Sequence, residues 1–458
     1  MPIGRKLRRI SSRPGAESMA AYAAGARTVA AVRAAGRLAV AWISIPILLL
    51  ALAGCSGTPV QTESMDYKAR VQTQAEGAVR VSAVALSPAE SLARFGVPLA
   101  KQHIQPVWLE IASEEETELF LMLLSVDREY FTPSEVAWQF KGKDGMRFDD
   151  MVSALVDRHV PIAIAPHSTV SGYVFTNLDP GAKVFAVDLF GPGIVRSFEF
   201  AQLVPGMESD FSRVDFDRLH AGGTAKDLDL DGLRAYLQQL PCCVLGGDQK
   251  TPGDPLNLVI VGDGSTVLAA MVRRGWDLTE TIRGATKWRT AISSAFGSKY
   301  RTSPVSPLYL FDRPQDVALQ KARGTVDERN HLRLWRAPVT LDGQMVWVGQ
   351  VSRDIGVKFS RKTLVTHKVD PVIDEARLYL TLDMANSQSL QTLGYVEGVG
   401  HSGRDAPRRN YTDDPYYTDG LRAVLIFGAD RYSLEELEFL PWEWPTGPIA
   451  GSPPAVVP

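Results

Sequence analysis

The chain has 458 residues and a formal net charge of −3 at pH 7, from 49 Lys and Arg against 52 Asp and Glu. Its apolar fraction of 45% is typical of a globular protein, and its length predicts two or three domains. Such a charge balance argues against a nucleic-acid-binding protein, because that role requires a clustered basic face.

The charge is unevenly distributed along the chain. The segment before Cys55 contains eight basic residues and one acidic residue, Glu17. Residues 55–458 therefore hold 41 basic and 51 acidic residues, a formal charge of −10. We expect a basic leader followed by an acidic body, and no nucleic-acid partner.

The leader ends in an apolar run, Leu38 to Gly54, which contains Pro46 and is followed by Cys55. Basic residues before such a run keep that end in the cytoplasm and predict export of the chain after it. The sequence Leu52-Ala53-Gly54-Cys55 resembles a bacterial lipoprotein signal, in which Cys55 would carry the lipid. The alternative is an uncleaved N-terminal anchor with an incidental cysteine.

Both alternatives predict that residues 56–458 face away from the cytoplasm, in the cell envelope. Ser56 stands where an aspartate would favour the inner membrane, so the outer membrane is favoured if one is present. Met1 and Met19 are alternative start residues. We expect the membrane to be a partner through the lipid at Cys55.

We predict an α+β fold, with an N-terminal antiparallel β-sandwich followed by a mixed α/β C-terminal domain. Composition and turn residues suggest boundaries for six segments. These are a signal segment at 1–54, a tether at 55–77, the β-sandwich at 78–220, a helical seam and linker at 221–253, the C-terminal domain at 254–430, and a largely disordered tail at 431–458.

The first body has the alternating apolar pattern of strands, interrupted by one amphipathic helix at Phe148–His159. The continuous apolar run Leu119–Val126 predicts a strand buried on both faces. Turn residues separate strands spaced as in an antiparallel sandwich. The further predicted strands begin near Val79, Ile104, Ser171, Val184 and Ser197.

The seam contains a predicted helix at Leu230–Leu240 and a linker at Gly246–Gly253. The pattern after it is mixed α and β. Helices are predicted at Ser265–Trp276, Lys287–Phe296 and Asp370–Met384, and strands at Leu256–Val261, Pro307–Phe311, His331–Trp335, Met345–Val351, Tyr395–Val399 and Ala423–Phe427.

Several short motifs occur once each, in a characteristic order, between Asp254 and Gly428. They are Ser303-Pro304-Val305-Ser306-Pro307, His331-Leu332-Arg333-Leu334-Trp335, Ser352-Arg353-Asp354-Ile355-Gly356 and Thr366-His367-Lys368-Val369-Asp370-Pro371. This order resembles the LssY C-terminal domain family. The resemblance implies an envelope location and no established activity.

The best chemical candidates in this region are polar: His331, Arg333, Arg353, Asp354, His367 and Asp370. An imidazole can take a proton, a carboxylate can orient the imidazole, and a guanidinium can hold an anion. From these we select His331, Arg333, Asp354 and His367 as candidate catalytic residues. The alternative is that these groups form hydrogen bonds and ion pairs within a large sheet.

After Cys55 only Cys242 and Cys243 remain, and they are adjacent. They are either ordinary thiols or a vicinal disulfide; a metal site is disfavoured because no His or third Cys is near in sequence. We predict no metal and no cofactor. A polar loop at about 400–420 is either functional or a mobile insertion.

These observations favour a non-catalytic binding or assembly role at the envelope, linked to secretion or to envelope integrity, with an envelope protein as partner. A hydrolase that uses the His, Arg and Asp set is the alternative. Convergence of the set in one pocket would favour the hydrolase, and an exposed apolar patch rimmed by polar residues would favour binding.

Overall fold

The computed structural model describes residues 66–142, 147–179, 181–207, 225–279, 305–322, 328–360 and 364–445, with backbone pairing alone for 357–360 and 364–367. The signal segment, residues 55–65 of the predicted tether and the predicted helix at 287–296 lie outside these residues. The described residues belong to one compact unit. None of their helices has the length and apolarity needed to span a membrane.

The N-terminal half, up to residue 207, is mostly antiparallel β-structure with short helices. Its helices are α1 (Pro88–Phe95), α2 (Leu123–Val126), α3 (Pro133–Gln139) and α4 (Phe148–Val156). Its strands are β1 (Gln72–Glu76), β2 (Val79–Ala85), β3 (Ile104–Ser113), β4 (Leu119–Met122), β5 (Ala163–Ile164), β6 (Ser168–Asn177), β7 (Ala182–Gly191) and β8 (Ile194–Leu203).

These eight strands form two four-stranded sheets, in the orders β1-β2-β3-β6 and β5-β4-β7-β8. Alternate residues of both sheets, such as Val81, Leu109, Phe185 and Phe200, enter one shared hydrophobic core. The period-two pattern read from the sequence places these residues on the inner faces. The α+β class is confirmed, while the sandwich arrangement stays a prediction.

The run Leu119–Val126 differs from the continuous buried strand that we predicted. Leu119 and Leu121 are buried, but Phe120 and Met122 are exposed, and the strand ends at Met122. The chain then forms α2, in which the Ser125 hydroxyl donates to the Met122 carbonyl (2.7 Å). That local hydrogen bond competes with strand pairing, as Ser often does, and apolarity alone did not reveal it.

Among its described residues, the C-terminal half has the helices α5 (Leu230–Gln239), α6 (Gly264–Arg273) and α7 (Ile373–Ala385). Its strands are β9 (Lys226–Leu228), β10 (Cys243–Leu245), β11 (Pro252–Pro255), β12 (Leu258–Val261), β13 (Asp277–Leu278), β14 (Tyr309–Leu310), β15 (Arg313–Pro314), β16 (Val317–Ala322), β17 (Arg329–Leu341), β18 (Gln344–Ser360), β19 (Leu364–Val369), β20 (Leu390–Glu397), β21 (Arg408–Arg409), β22 (Pro415–Tyr416), β23 (Leu421–Phe427) and β24 (Glu438–Phe439).

Ten of these strands form one large mixed sheet with the central order β13-β16-β17-β18-β12-β23-β20-β24. One face packs against α6 and α7, and its core also takes Val184 from the N-terminal half. The other face packs against α5 and the β10–β11 and β14–β15 hairpins. The two halves therefore share a hydrophobic core.

Three predicted boundary segments are structured at least in part. The predicted tether at 55–77 contains β1, which pairs antiparallel with β2. The stretch Gly246–Gly253, interpreted as a linker, forms the turn of the β10–β11 hairpin and the start of β11; hydrogen bonds from Lys250 N and Thr251 N to Asp248 close the turn. In the tail predicted from residue 431, Glu438–Phe439 pairs with β20. All three segments contribute backbone hydrogen bonds to sheets, which polar composition does not reveal.

Candidate functional site

The long strands β17 and β18 present polar side chains along one face of the sheet. In β17 these are Arg329, His331 and Arg333, spaced two residues apart, and alternate residues of a strand share a face. On β18, Gln350 pairs with Arg333 and Ser352 pairs with His331, and Asp354 follows two residues further. Sheet register therefore brings together residues distant in sequence.

His331 and Asp354 are the closest pair in this group. The imidazole Nε2 lies 2.7 Å from the carboxylate Oδ2, and Arg329 Nε lies 3.7 Å from the same oxygen. His331 is 6% exposed and Asp354 is 3% exposed. A carboxylate in this position fixes the tautomer and orientation of the imidazole.

Arg333 extends the group along the same face. Its Nη1 donates to Gln350 Oε1 (2.9 Å), and its Nε donates to the Ser306 carbonyl (3.3 Å). Burial lowers the pKa of Arg333, against the opposing effect of the nearby carboxylates Asp254 and Asp354. A buried guanidinium here is held by hydrogen bonds and by charge.

Asp254, on β11, is half-buried and completes the group. Burial raises the pKa of its carboxyl group, while the hydrogen bond from Asn410 and the charge of Arg333 act in the opposite direction. Asn410 Nδ2 donates to Asp254 Oδ1 at 2.7 Å. We call the set Asp254, Arg329, His331, Arg333, Gln350 and Asp354 the buried polar cluster.

The other predicted residues do not join the buried polar cluster, or their side chains are not described. Arg353 bonds Asn330 Oδ1 (3.1 Å) and its guanidinium lies over the Tyr379 ring, so it belongs to the other face. Asp370 accepts from Val372 N before α7. His367 pairs with Val357 through the backbone of β18 and β19, and the structure describes only its backbone.

Sequence reasoning missed Asp254, Arg329 and Gln350. Arg329 stands two residues before His331. It could have been predicted by extending the strand by two residues, because alternate residues of a strand lie on the same face. Asp254 and Gln350 carried no local signal, because they approach the cluster only through pairing and packing. Among the described residues there is no group of three or more His, Cys, Asp or Glu arranged to hold a metal ion.

An exposed apolar row crosses the outer face of the sheet β5-β4-β7-β8. Phe120 pairs with Phe190, and Phe190 pairs with Val195, so the three lie side by side on adjacent strands. They are 37%, 42% and 57% exposed. The two phenylalanine rings are in contact, with centroids 5.8 Å apart.

A polar row borders the apolar one on the same sheet face. Asp188 and Ser197 pair with each other, two residues along from Phe190 and Val195. Arg273 and Arg431 form ion pairs with Asp188 at 3.5 Å and 3.1 Å. We call Phe120, Phe190 and Val195 the apolar row; it is rimmed by charged groups on one side.

Cys242 and Cys243 are joined by a disulfide bond, which decides between the thiol and disulfide alternatives. Cys242 follows α5, and Cys243 is the first residue of β10. Cys243 Sγ is 3.7 Å from the Tyr416 hydroxyl, on the polar loop predicted at 400–420. That loop is anchored to the rest of the domain by Asn410 and Tyr411, whose ring packs on Gly246.

Together these features define an α+β protein with a buried polar cluster in its C-terminal sheet. Residues 235–421 match the sequence model of the family described as LssY C-terminus, so this part of the chain is an LssY C-terminal domain. The match begins inside α5, earlier than the predicted boundary at 254. No curated protein matches the chain.

Proposed function

We propose that the protein is a lipid-anchored cell-envelope protein with a non-catalytic binding or assembly role. The observation that carries this proposal is the contrast between the two candidate surfaces. The apolar row of Phe120, Phe190 and Val195 is open to solvent, whereas His331 and Asp354 are almost fully buried. An exposed apolar patch rimmed by polar groups is the usual mark of an interaction site.

The chemistry of the row suggests its partner. Two aromatic rings and a valine on a flat sheet face offer apolar contact area, and aromatic residues are enriched in interface centres. The Asp188–Arg273–Arg431 rim supplies charges of both signs for orientation. We propose that the partner is another envelope protein that presents an apolar segment with a polar border.

Site-specific photocrosslinking in intact cells tests this role. A photoreactive residue at position 190 should yield an adduct with one distinct envelope protein. The same residue at Leu92, an exposed apolar position on α1, should not. The additional substitution Phe120→Ser should remove the adduct at 190. Identical adducts at 92 and 190, or none at 190, would contradict the proposed surface.

The lipid anchor rests on the sequence Leu52-Ala53-Gly54-Cys55. A thioether-linked lipid with an acylated terminus anchors a protein stably, unlike a single acyl chain. Labelling with palmitate should mark the protein that has Cys55 and should be lost in Cys55→Ala. Equal labelling of both proteins would rule out lipid attachment at Cys55, whatever the outcome of crosslinking.

A hydrolase is the second candidate, favoured by the 2.7 Å approach of His331 to Asp354 beside two arginines. In such a mechanism His331 would take a proton from water, and Asp354 would orient the His331 imidazole. Arg329 and Arg333 would hold an anionic substrate. The purified full chain would then hydrolyse p-nitrophenyl phosphate, and His331→Gln would abolish turnover. Absence of turnover, or turnover unchanged in His331→Gln, would exclude this candidate for that substrate class.

A further inference from the structure

The Cys242–Cys243 disulfide lies in a segment whose backbone is held on both sides. Before it, Arg422 Nη2 donates to the Pro241 carbonyl (2.7 Å). After it, Leu256 N donates to the Cys242 carbonyl (2.8 Å), and Cys243 pairs with Pro255 in the β10–β11 hairpin. The backbone around the two cysteines therefore has little freedom to move.

The side chain of Cys243 contacts the loop of residues 398–420. Cys243 and Tyr416 are both buried, with Sγ 3.7 Å from the Tyr416 hydroxyl. Tyr416 pairs with Arg408 in the β21–β22 hairpin, and the Ser402 hydroxyl donates to its carbonyl (2.9 Å). A displacement of Tyr416 would consequently move β22 and, through its pairing with Arg408, the rest of this hairpin.

The same hairpin contacts the buried polar cluster. Its connecting turn carries Asn410, which donates to Asp254. Tyr411 packs on Gly246, where an added Cβ would overlap the tyrosine ring. The loop thus contacts the cluster through Asn410 and the β10–β11 hairpin through Tyr411.

We propose that the Cys242–Cys243 disulfide is a redox latch that keeps the 398–420 loop closed against the buried polar cluster. The reductant is a dithiol. Its two sulfurs give up two electrons and two protons, the Cys242–Cys243 bond breaks to two thiols, and the dithiol is released as a disulfide. The latch is independent of the binding role proposed above.

Reduction would act on Tyr416 for a steric reason. Two thiols are no longer bonded, so their sulfurs must separate to non-bonded contact. Interiors are closely packed, and even small increases in volume are felt by neighbours. Because the backbone is held by Arg422 and by the pairing with Pro255, we infer that the separation is taken up against Tyr416.

Trypsin tests the latch, because Arg404, Arg408 and Arg409 are exposed in the loop. The full chain is treated with and without dithiothreitol before digestion, and the peptide at 235–250 reports the state of both cysteines without including Cys55. Cleavage within the loop should become about tenfold faster after reduction, since proteolysis follows the population of the open form.

Two variants separate the latch from general destabilisation. Cys243→Ser cannot form the disulfide, so cleavage in its loop should proceed at the same rate with and without dithiothreitol, and Cys55→Ser, which keeps both latch cysteines, should respond like the unmodified chain. Hydrogen exchange of α6 should be the same in all forms if the fold is intact. Equal loop cleavage in the oxidised and reduced chain would overturn the proposal. So would free thiols at 242 and 243 in protein isolated from the envelope without reductant.

Discussion

The imidazole Nε2 of His331 lies 2.7 Å from the carboxylate Oδ2 of Asp354, although the two residues belong to different strands. Both side chains are buried, and Arg329 and Arg333 lie on the same face of the sheet. Charges in such a place must be paired or hydrogen-bonded, because removing them from water is costly. This relationship makes the cluster important for stability whether or not it is catalytic.

Asp354→Asn should therefore destabilise the fold strongly. The substitution keeps the shape but removes the negative charge beside His331 and Arg329, and breaking a buried ion pair costs about 3–5 kcal/mol. Urea unfolding of the full chain measures the loss. The matched control is Asp342→Asn, an exposed turn residue between β17 and β18, which should change stability by less than about 0.5 kcal/mol. Similar effects of the two substitutions would show that the ion pair contributes little.

Arg422 is fully buried and binds main-chain carbonyls. It donates to Leu237, Leu240, Pro241, Leu256 and Gly398 at 2.5–3.3 Å. Burial lowers its pKa to about 10. The guanidinium thereby ties the end of α5 to the sheet.

Arg422→Met should leave these carbonyls without their donor. Because each unsatisfied buried group costs about 1–3 kcal/mol, we expect a loss of at least about 3 kcal/mol in the free energy of unfolding. Arg422→Lys should rescue only part of it, since an ammonium has three donors in place of five. Arg409→Met, at an exposed position, is the control; an equally small effect at 422 and 409 would contradict a bracing role.

Asp254→Asn should change the pH dependence of stability. Burial raises the pKa of Asp254 above its ordinary value of 3.8. Between the unfolded and folded pKa values the folded state binds more protons, so this group makes stability fall as pH rises above 3.8. Asparagine keeps an acceptor for Asn410 and does not ionise.

Stability of Asp254→Asn relative to the unmodified chain should consequently increase from about pH 4 to about pH 7. Urea midpoints of both proteins at the two pH values measure this difference. A difference between Asp254→Asn and the unmodified chain that does not vary with pH would show that ionisation of Asp254 carries no penalty.

Many elements could be predicted because their signal is local. The helix predicted at Phe148–His159 occurs as α4, Phe148–Val156, and that at Leu230–Leu240 occurs as α5, since apolar residues three or four apart define a helix face wherever it packs. Asp370 precedes α7 and accepts from Val372 N, close to the predicted helix entry. The LssY-like motif order also identified the family over most of residues 235–421.

Predictions based on composition alone were less accurate. The run Leu119–Val126 is apolar apart from Ser125, yet the strand ends at Met122, where the Ser125 hydroxyl donates to the Met122 carbonyl. The glycine-rich stretch at 246–253 resembled a linker, but it closes a hairpin within the compact unit. In both cases a single hydrogen-bonded turn, invisible in the average composition, decided the structure.

The sequence by itself determined the α+β class, the family of the C-terminal domain, and the candidates His331, Arg333 and Asp354, because periodicity and motif order are properties of neighbouring residues. Only the tertiary structure decided that Asp254, Arg329 and Gln350 join them, that Arg353 does not, and that Cys242–Cys243 faces Tyr416. Strand register and loop packing bring together residues that are far apart in the chain. Such contacts cannot be inferred from the pattern of neighbouring residues.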